Sequence, residues 1–342
     1  MKRKVIILLV IWPLFVTSLH AQQHEKKAKK IYNQAMELID DHQRQAALEA
    51  LDAAIRIDSG FHQAYVERGK LYFKADSFQL ARRDFSQAIR LGDPSGEAFF
   101  YQGYLDYTGA RPDSAIERLT RAIQAGCTWP EVYYFRGLAN YALKDYQNAI
   151  TNFNGAIDKR YNYTFAYNDR GSAKMKTGDY QGAINDFEKA LTYDSSLAFV
   201  YNNLGHARAA RADYKEAVKA FARAIQLDPG YYKAYVGRGI VRTHLEEYDK
   251  AESDLKKAIQ MNPADAASYN NLGLVYLKSK AFTQAREQFN KALERNEALA
   301  GAYLNRGLVW ENLGEMDKAC TDWKMARELG LQQAATYLKD CK

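Results

Sequence analysis

The sequence predicts an all-α protein built as a linear array of helix pairs, and three observations carry that expectation. Residues 28–333 divide into nine blocks of 34 with no insertion or deletion. Within that register two columns are alanine in every block. Only six prolines occur in 342 residues, which suits helix. A period held over nine cycles excludes a single compact core, because each unit touches only its neighbours.

The first element is a leader. Lys2-Arg3-Lys4 forms a basic start, Val5 to Val16 an apolar run of 12 residues, and Ala21 a small residue before Gln22. Twelve apolar residues fall short of the roughly 20 needed to span a bilayer as a helix. We therefore read residues 1–21 as a signal peptide and residues 22–27 as a short N-terminal lead. The implied location is exported: the periplasm or cell envelope of a bacterium, or the medium. The formal charge of +7 falls to +4 once the leader's three bases are set aside, a weak and dispersed excess that argues against nucleic acid as a partner.

The blocks are 28–61, 62–95, 96–129, 130–163, 164–197, 198–231, 232–265, 266–299 and 300–333. Numbering columns 1 to 34, column 20 is alanine from Ala47 to Ala319, and column 27 from Ala54 to Ala326. Column 8 is glycine in eight blocks, column 4 aromatic in eight, and column 24 Leu, Phe or Trp throughout. Columns 4, 8 and 11, then 20, 24 and 27, keep helical spacing, so each block reads as two amphipathic helices. Pairs such as Gly178-Asp179 at columns 15 and 16 separate them. Small residues at 8 and 20 let the two backbones approach, while large residues at 4 and 24 fill the space beside them.

These residues resemble the tetratricopeptide repeat (TPR), as in Ala166-Tyr167-Asn168-Asp169-Arg170-Gly171 followed by Gly178-Asp179-Tyr180 and Ala183. The resemblance covers the nine blocks. It implies a right-handed α-α superhelix, a TPR solenoid whose concave groove is lined by the first helix of each pair. It also implies a scaffold that holds proteins or peptides, without catalysis and without a small-molecule cofactor.

One pairing lies within the blocks. Column 7 is arginine at Arg68, Arg136, Arg170, Arg238 and Arg306, and column 23 of the same blocks is Asp84, Asn152, Asp186, Asp254 and Asp322. The other four blocks carry Ala50, Arg118, Ala220 and Gln288 there. This matching predicts a bond from the first helix to the second that fixes the register of each pair.

Motifs for chemistry are missing from the sequence. There is no phosphate loop ending in Gly-Lys-Ser/Thr and no Gly-x-Ser-x-Gly elbow. His24-Glu25 begins a zinc-protease pattern that fails at Ala28, and the six histidines are scattered. We expect no enzyme, no metal and no cofactor.

Candidate partner-binding residues come from columns 2, 5, 9 and 12, the stripe that the resemblance places in the groove. Blocks 2 to 5 supply Phe73, Phe100, Tyr104, Tyr107, Tyr134, Leu138, Tyr141 and Phe165, a largely aromatic row suited to binding. Asn168, Asn202 and Asn270 at column 5, with Asn203, Asn271 and Asn305 at column 6, look like the asparagine ladder of peptide-binding members. The carboxylate clamp of chaperone-tail binders is incomplete: Asn203 and Lys233 fit, but Asn168, Ser172 and Gly237 do not. The partner is therefore a protein or extended peptide. The competing expectation is a glycan- or cell-wall-binding envelope protein, with Tyr104, Tyr107, Tyr134 and Tyr141 stacking on sugar rings. After leader cleavage the chain is not expected to span a membrane.

The last element is a cap. Leu331, Ala334, Ala335 and Leu338 follow Gly330 at helical spacing, which predicts a C-terminal capping helix over 332–342 packed antiparallel on the last repeat helix. The midpoint of Cys320 and Cys341 falls between Gly330 and Leu331, so the two sulfurs should face one another and bond. Cys127 is then the odd thiol.

Overall fold

Every block folds as two helices in the computed structural model, which describes residues 22–341. The leader expectation falls outside the described residues. The chain divides into two compact units, one ending at Tyr161 and one beginning at Asn162. In the first unit α1 covers 22–40 and is followed by α2 (Arg44–Ile57), α3 (His62–Phe73), α4 (Phe78–Arg90), α5 (Glu97–Thr108), α6 (Pro112–Gln124), α7 (Pro130–Ala142) and α8 (Tyr146–Lys159). The expected lead, 22–27, is thus already helical and continuous with block 1.

The second unit holds α9 (Thr164–Thr177), α10 (Tyr180–Tyr193), α11 (Ala198–Ala210), α12 (Tyr214–Leu227), α13 (Tyr232–His244) and α14 (Tyr248–Met261). It continues with α15 (Ala266–Lys278), α16 (Phe282–Arg295), α17 (Ala300–Asn312) and α18 (Met316–Glu328). Among the described residues there is no strand. Within each unit a helix packs chiefly on its partner in the pair and then on the next pair, and successive first helices touch at α5–α7 and from α9 through α17.

The pairing contact is a large apolar side chain laid on the facing backbone. All the alanines of columns 20 and 27 are fully buried, and so are the column-24 side chains Leu51, Phe85, Leu119, Phe153, Phe221, Leu255 and Phe289. A Cβ at Gly171 would lie 2.8 Å from Cε1 of Phe187, closer than packed atoms come, so column 8 of blocks 2 to 9 has room for hydrogen only.

The turn between paired helices is set by position more than by residue type. Column 15 has positive φ in all nine blocks, yet only Gly178 and Gly314 are glycine; His42, Asp76, Ala110, Lys144, Ala212, Glu246 and Lys280 take the same left-handed conformation. The next residue's N–H closes back onto the carbonyl of column 11, as in Asp179 N to Lys174 O at 3.0 Å and Ala281 N to Tyr276 O at 2.8 Å. This six-residue closure ends the first helix and satisfies its last carbonyls. Asp145, Asp179 and Asp265 then cap the helices that follow them, accepting from the N–H groups of Asn148, Gly182 and Ser268.

The C-terminal cap differs from the expected α-helix. Gly330 takes φ +93°, and residues Gln332–Asp340 form a 3₁₀-helix. Three residues per turn place Leu331, Ala334 and Tyr337 in line, so Tyr337 packs 5.2 Å from the Trp323 ring while Ala335 points to solvent. A 3₁₀ run this long is unusual, and its far end is tethered: Cys341 is bonded to Cys320, with Cα atoms 5.7 Å apart. Cys127 is free and buried, between α6 and α7, and burial pushes its thiol pKa up.

Two predictions follow from this geometry. L-residues pay for left-handed φ, so Ala212→Gly and Lys280→Gly should each raise stability to urea, by about 0.5–1 kcal/mol; an unchanged or lowered midpoint counts against the cost. Thiol titration of the unfolded, unreduced chain should find one thiol, Cys127, and reduction should lower the stability of the last pair by roughly 3 kcal/mol; three thiols without reductant would refute the bridge.

Candidate functional site

At Tyr101, Phe135, Asn203 and Asn305, column 6 of a first helix reaches the preceding first helix. In blocks 3 and 4 it is aromatic. Tyr101 on α5 sits 5.1 Å from Phe73 of α3, and Phe135 on α7 sits 4.7 Å from Tyr104 and 5.8 Å from Tyr107 of α5. Phe73 and Tyr104 are themselves 5.3 Å apart, edge to face. Tyr134 lies 5.4 Å from Phe135, and Tyr141 lies 5.3 Å from Tyr146. The expected row therefore exists, but its rings brace one another; Phe73, Tyr104, Tyr107, Tyr134, Leu138 and Tyr141 are half-buried. Sequence reasoning missed Phe135 and Tyr101 as the hubs, although both stand in column 6 beside the stripe it chose.

Phe100 must be removed from the binding row. It is 7% exposed and packs with Leu119 and Val132, against Trp129 at 5.3 Å, because its neighbours fill the space that column 5 faces.

In blocks 6, 8 and 9 column 6 is asparagine. Asn203 Nδ2 donates to Asn168 Oδ1 at 3.0 Å, and Asn305 Nδ2 donates to Asn270 Oδ1 at 3.2 Å. The expected ladder is in these two places an inter-block bond, column 6 of one block to column 5 of the block before. Asn168 and Asn202 are buried, at 6% and 5% exposure, which corrects their reading as open rungs. Asn203, Asn270, Asn271 and Asn305 are half-buried. Phe165 is 49% exposed, with its ring parallel to that of Phe199 at 6.3 Å.

All five matched pairs of columns 7 and 23 are bonded. Arg170 reaches both oxygens of Asp186 at 2.9 and 2.5 Å, and Arg238 and Arg306 grip Asp254 and Asp322 in the same two-pronged way. Arg68 does so with Asp84, and Arg136 meets Asn152 at 2.6 Å. Each of these arginines also stands over the column-4 tyrosine of its block, 5.2 to 6.0 Å from the ring centre. Three reach further, to column 25 of the preceding block: Arg68 to Asp52, Arg136 to Thr120 and Arg306 to Asn290.

Block 3 keeps the same node with its polarity reversed. Gln102 occupies column 7, donating to Ser86 of the block before and accepting from Arg118 at column 23. The buried Asp106 carboxylate beside it collects Arg82, Arg111 and Arg118. The electrostatics follow the partners. Burial pulls the Arg68 guanidinium down, but hydrogen bonds to Asp84 and Asp52 outweigh it and the net shift is upward. Burial likewise pulls Arg136 down, and with the neutral Asn152 opposite, the net shift stays downward.

No group of metal-ligating side chains occurs among the described residues. His206 packs edge-on against Phe221, and His244 stacks on Tyr214. Nor is any described helix long and apolar enough to cross a membrane.

A stack of helix pairs with a braced first-helix face defines a helical-repeat interaction scaffold. The chain belongs to the tetratricopeptide repeat family: models described as "Tetratricopeptide repeat" match residues 32–96, 100–163, 198–231 and 231–298, and one described as "TPR repeat" matches 171–211. Such repeats serve protein–protein interaction and are typically non-catalytic. A tetratricopeptide repeat protein from Parabacteroides merdae ATCC 43184 is 20% identical, with 72% of this chain and 98% of that one aligned at a TM-score of 0.62. PilW, a widely conserved type IV pilus biogenesis factor, is 21% identical over 61% of this chain and 98% of its own, at 0.56. PilF of Pseudomonas aeruginosa is 18% identical over 62% and 97%, at 0.53. At these identities the likeness concerns the fold alone. No curated protein matches.

The register nodes give a third prediction. A double-mutant cycle on Arg170 and Asp186 should show coupling of about 1 kcal/mol or more, and strict additivity would refute the bond's role. Arg306→Met should also cost more than Arg136→Met, because only the former strands a buried carboxylate.

Proposed function

We propose that the chain is an exported, non-catalytic scaffold that holds a protein or extended peptide on its first-helix faces. The observation that carries this reading is the half-buried aromatic row of the first unit. Rings fixed by edge contacts lose little entropy on binding and keep apolar edge available to a partner. Because Tyr104 and Tyr134 already pack against Phe135, the row favours an apolar side chain as ligand over stacking on a sugar ring. Export is supported by the basic-apolar leader and by the Cys320–Cys341 bond, which suits an oxidising compartment.

Two measurements test the proposal. Partner capture from envelope extract should be lost in the Tyr104→Ala, Tyr141→Ala double variant, with helicity retained; such anchors contribute about 2 kcal/mol or more each. Undiminished capture by the folded variant sinks the groove. The exported chain should begin at Gln22, and a chain recovered with its leader in the cytoplasm would refute export.

A further inference from the structure

The register node is missing from block 6. Leu204 stands at column 7 and Ala220 at column 23, where blocks 2, 5, 7 and 9 pair arginine with aspartate. In block 2 a recess of about 500 Å³ lies against the node, lined by Asp52, Arg68 and Asp84, and in block 7 one of about 690 Å³ is lined by Arg238 and Asp254. Block 6 keeps a recess at matching columns, of about 400 Å³, with a different chemistry. Its floor is Leu204 and Ala220, both 3% exposed, and its walls are the half-buried Leu191 and Tyr201. The recess is built from α10, α11 and α12 and uses none of columns 2, 5, 6, 9 or 12, so it is separate from the first-helix stripe.

Charge at its rim is unbalanced. Arg208 closes one end by pairing with Glu188 at 2.8 Å, and Lys219 holds Glu216 at 2.6 Å. Both rim carboxylates are thus engaged. Arg223, the third rim cation, donates to Gln226 at 2.6 Å and stands 6.0 Å from the centre of the Tyr201 ring. It forms no ion pair among the described residues, and its planar fork keeps donors for a further acceptor beside the apolar floor.

Outside the recess the surface is polar. Gln181, Asn185, Lys189 and Lys215 are exposed, and of the large apolar side chains on α10 and α12 only Tyr180, at the start of α10, is exposed. A stable protein interface needs roughly 800 Å² on each partner with an apolar centre. An isolated apolar recess fits a small molecule instead, whose pockets run to about 300–1,000 Å³ with a few placed polar groups.

We propose that block 6 binds a small amphipathic carboxylate, with a compact aromatic or branched-alkyl body and one anionic head. The body lies on Leu191, Leu204 and Ala220 beside the Tyr201 ring, and the carboxylate takes a two-pronged bond from Arg223. This is a second site, on residues that the scaffold reading does not use.

Calorimetric titration of the chain with 4-phenylbutyrate, and with 4-phenylbutanamide as the uncharged control, tests it. The carboxylate should bind one to one and about tenfold more tightly than the amide. Arg223→Gln should remove that difference and leave amide binding unchanged. Leu204→Arg combined with Ala220→Asp copies the Arg238–Asp254 node of block 7 into the recess, and should abolish binding of both probes without lowering the urea midpoint. Ala220→Leu fills the recess with an apolar side chain and should abolish binding independently of the rebuilt node. Undiminished binding by either folded recess variant, equal affinity for the two probes, or no binding would overturn the site. Tyr104→Ala should leave binding unchanged; a loss there would put the probe on the aromatic row and overturn this site while leaving the scaffold standing.

Discussion

The structure depends on one contact repeated nine times, the column-24 side chain pressed against the backbone of column 8. Where Phe187 meets Gly171 there is no room for a methyl group, and the fully buried alanines of columns 20 and 27 keep the facing helix as close. That distance fixes what the other columns can do. It sets the arginine of column 7 within reach of column 23. Block 1 satisfies the same constraint with Ala35 and Leu51, a smaller ring-free version of the contact, and both are fully buried.

The arginine node does more than hold a pair in register. At Arg68, Arg136 and Arg306 one guanidinium joins the second helix of its own block to the second helix of the block before, so a single side chain couples pairing to stacking. Its planar fork with several donors makes this possible, and a lysine could not reproduce it. The reversed node of block 3 shows that the position is what matters: Gln102 and Arg118 exchange donor and acceptor, yet the same two columns still touch the same neighbours.

Much of this was legible in the sequence because a period of 34 turns nine blocks into nine observations of one structure. The helix pairs, the buried alanines and the matched columns 7 and 23 all appear as vertical regularities. What stayed hidden runs between blocks or through backbone conformation. The turn looked like a glycine signal, whereas seven other residues adopt the same left-handed φ because the six-residue closure demands it. Phe100 looked like a groove residue because its burial comes from Trp129 and Val132, which lie outside its own helix. The asparagines looked like a row of free amides, since a bond from column 6 to column 5 of the preceding block is invisible in a column read alone.

That inter-block view changes where function should be sought. In a repeat array each block predicts its neighbours, so a departure with a physical cost carries more information than a shared residue. Column 6 links first helices through Tyr101 and Phe135 in the first unit and through Asn203 and Asn305 in the second. Gly237 supplies no linking side chain, and the core ring of Phe221 enforces the omission. The cost is visible one block away, at the unpaired Asn202 oxygen. Stability alone would favour an apolar residue at 202, since replacing an unpaired buried amide by a side chain of similar size removes the penalty.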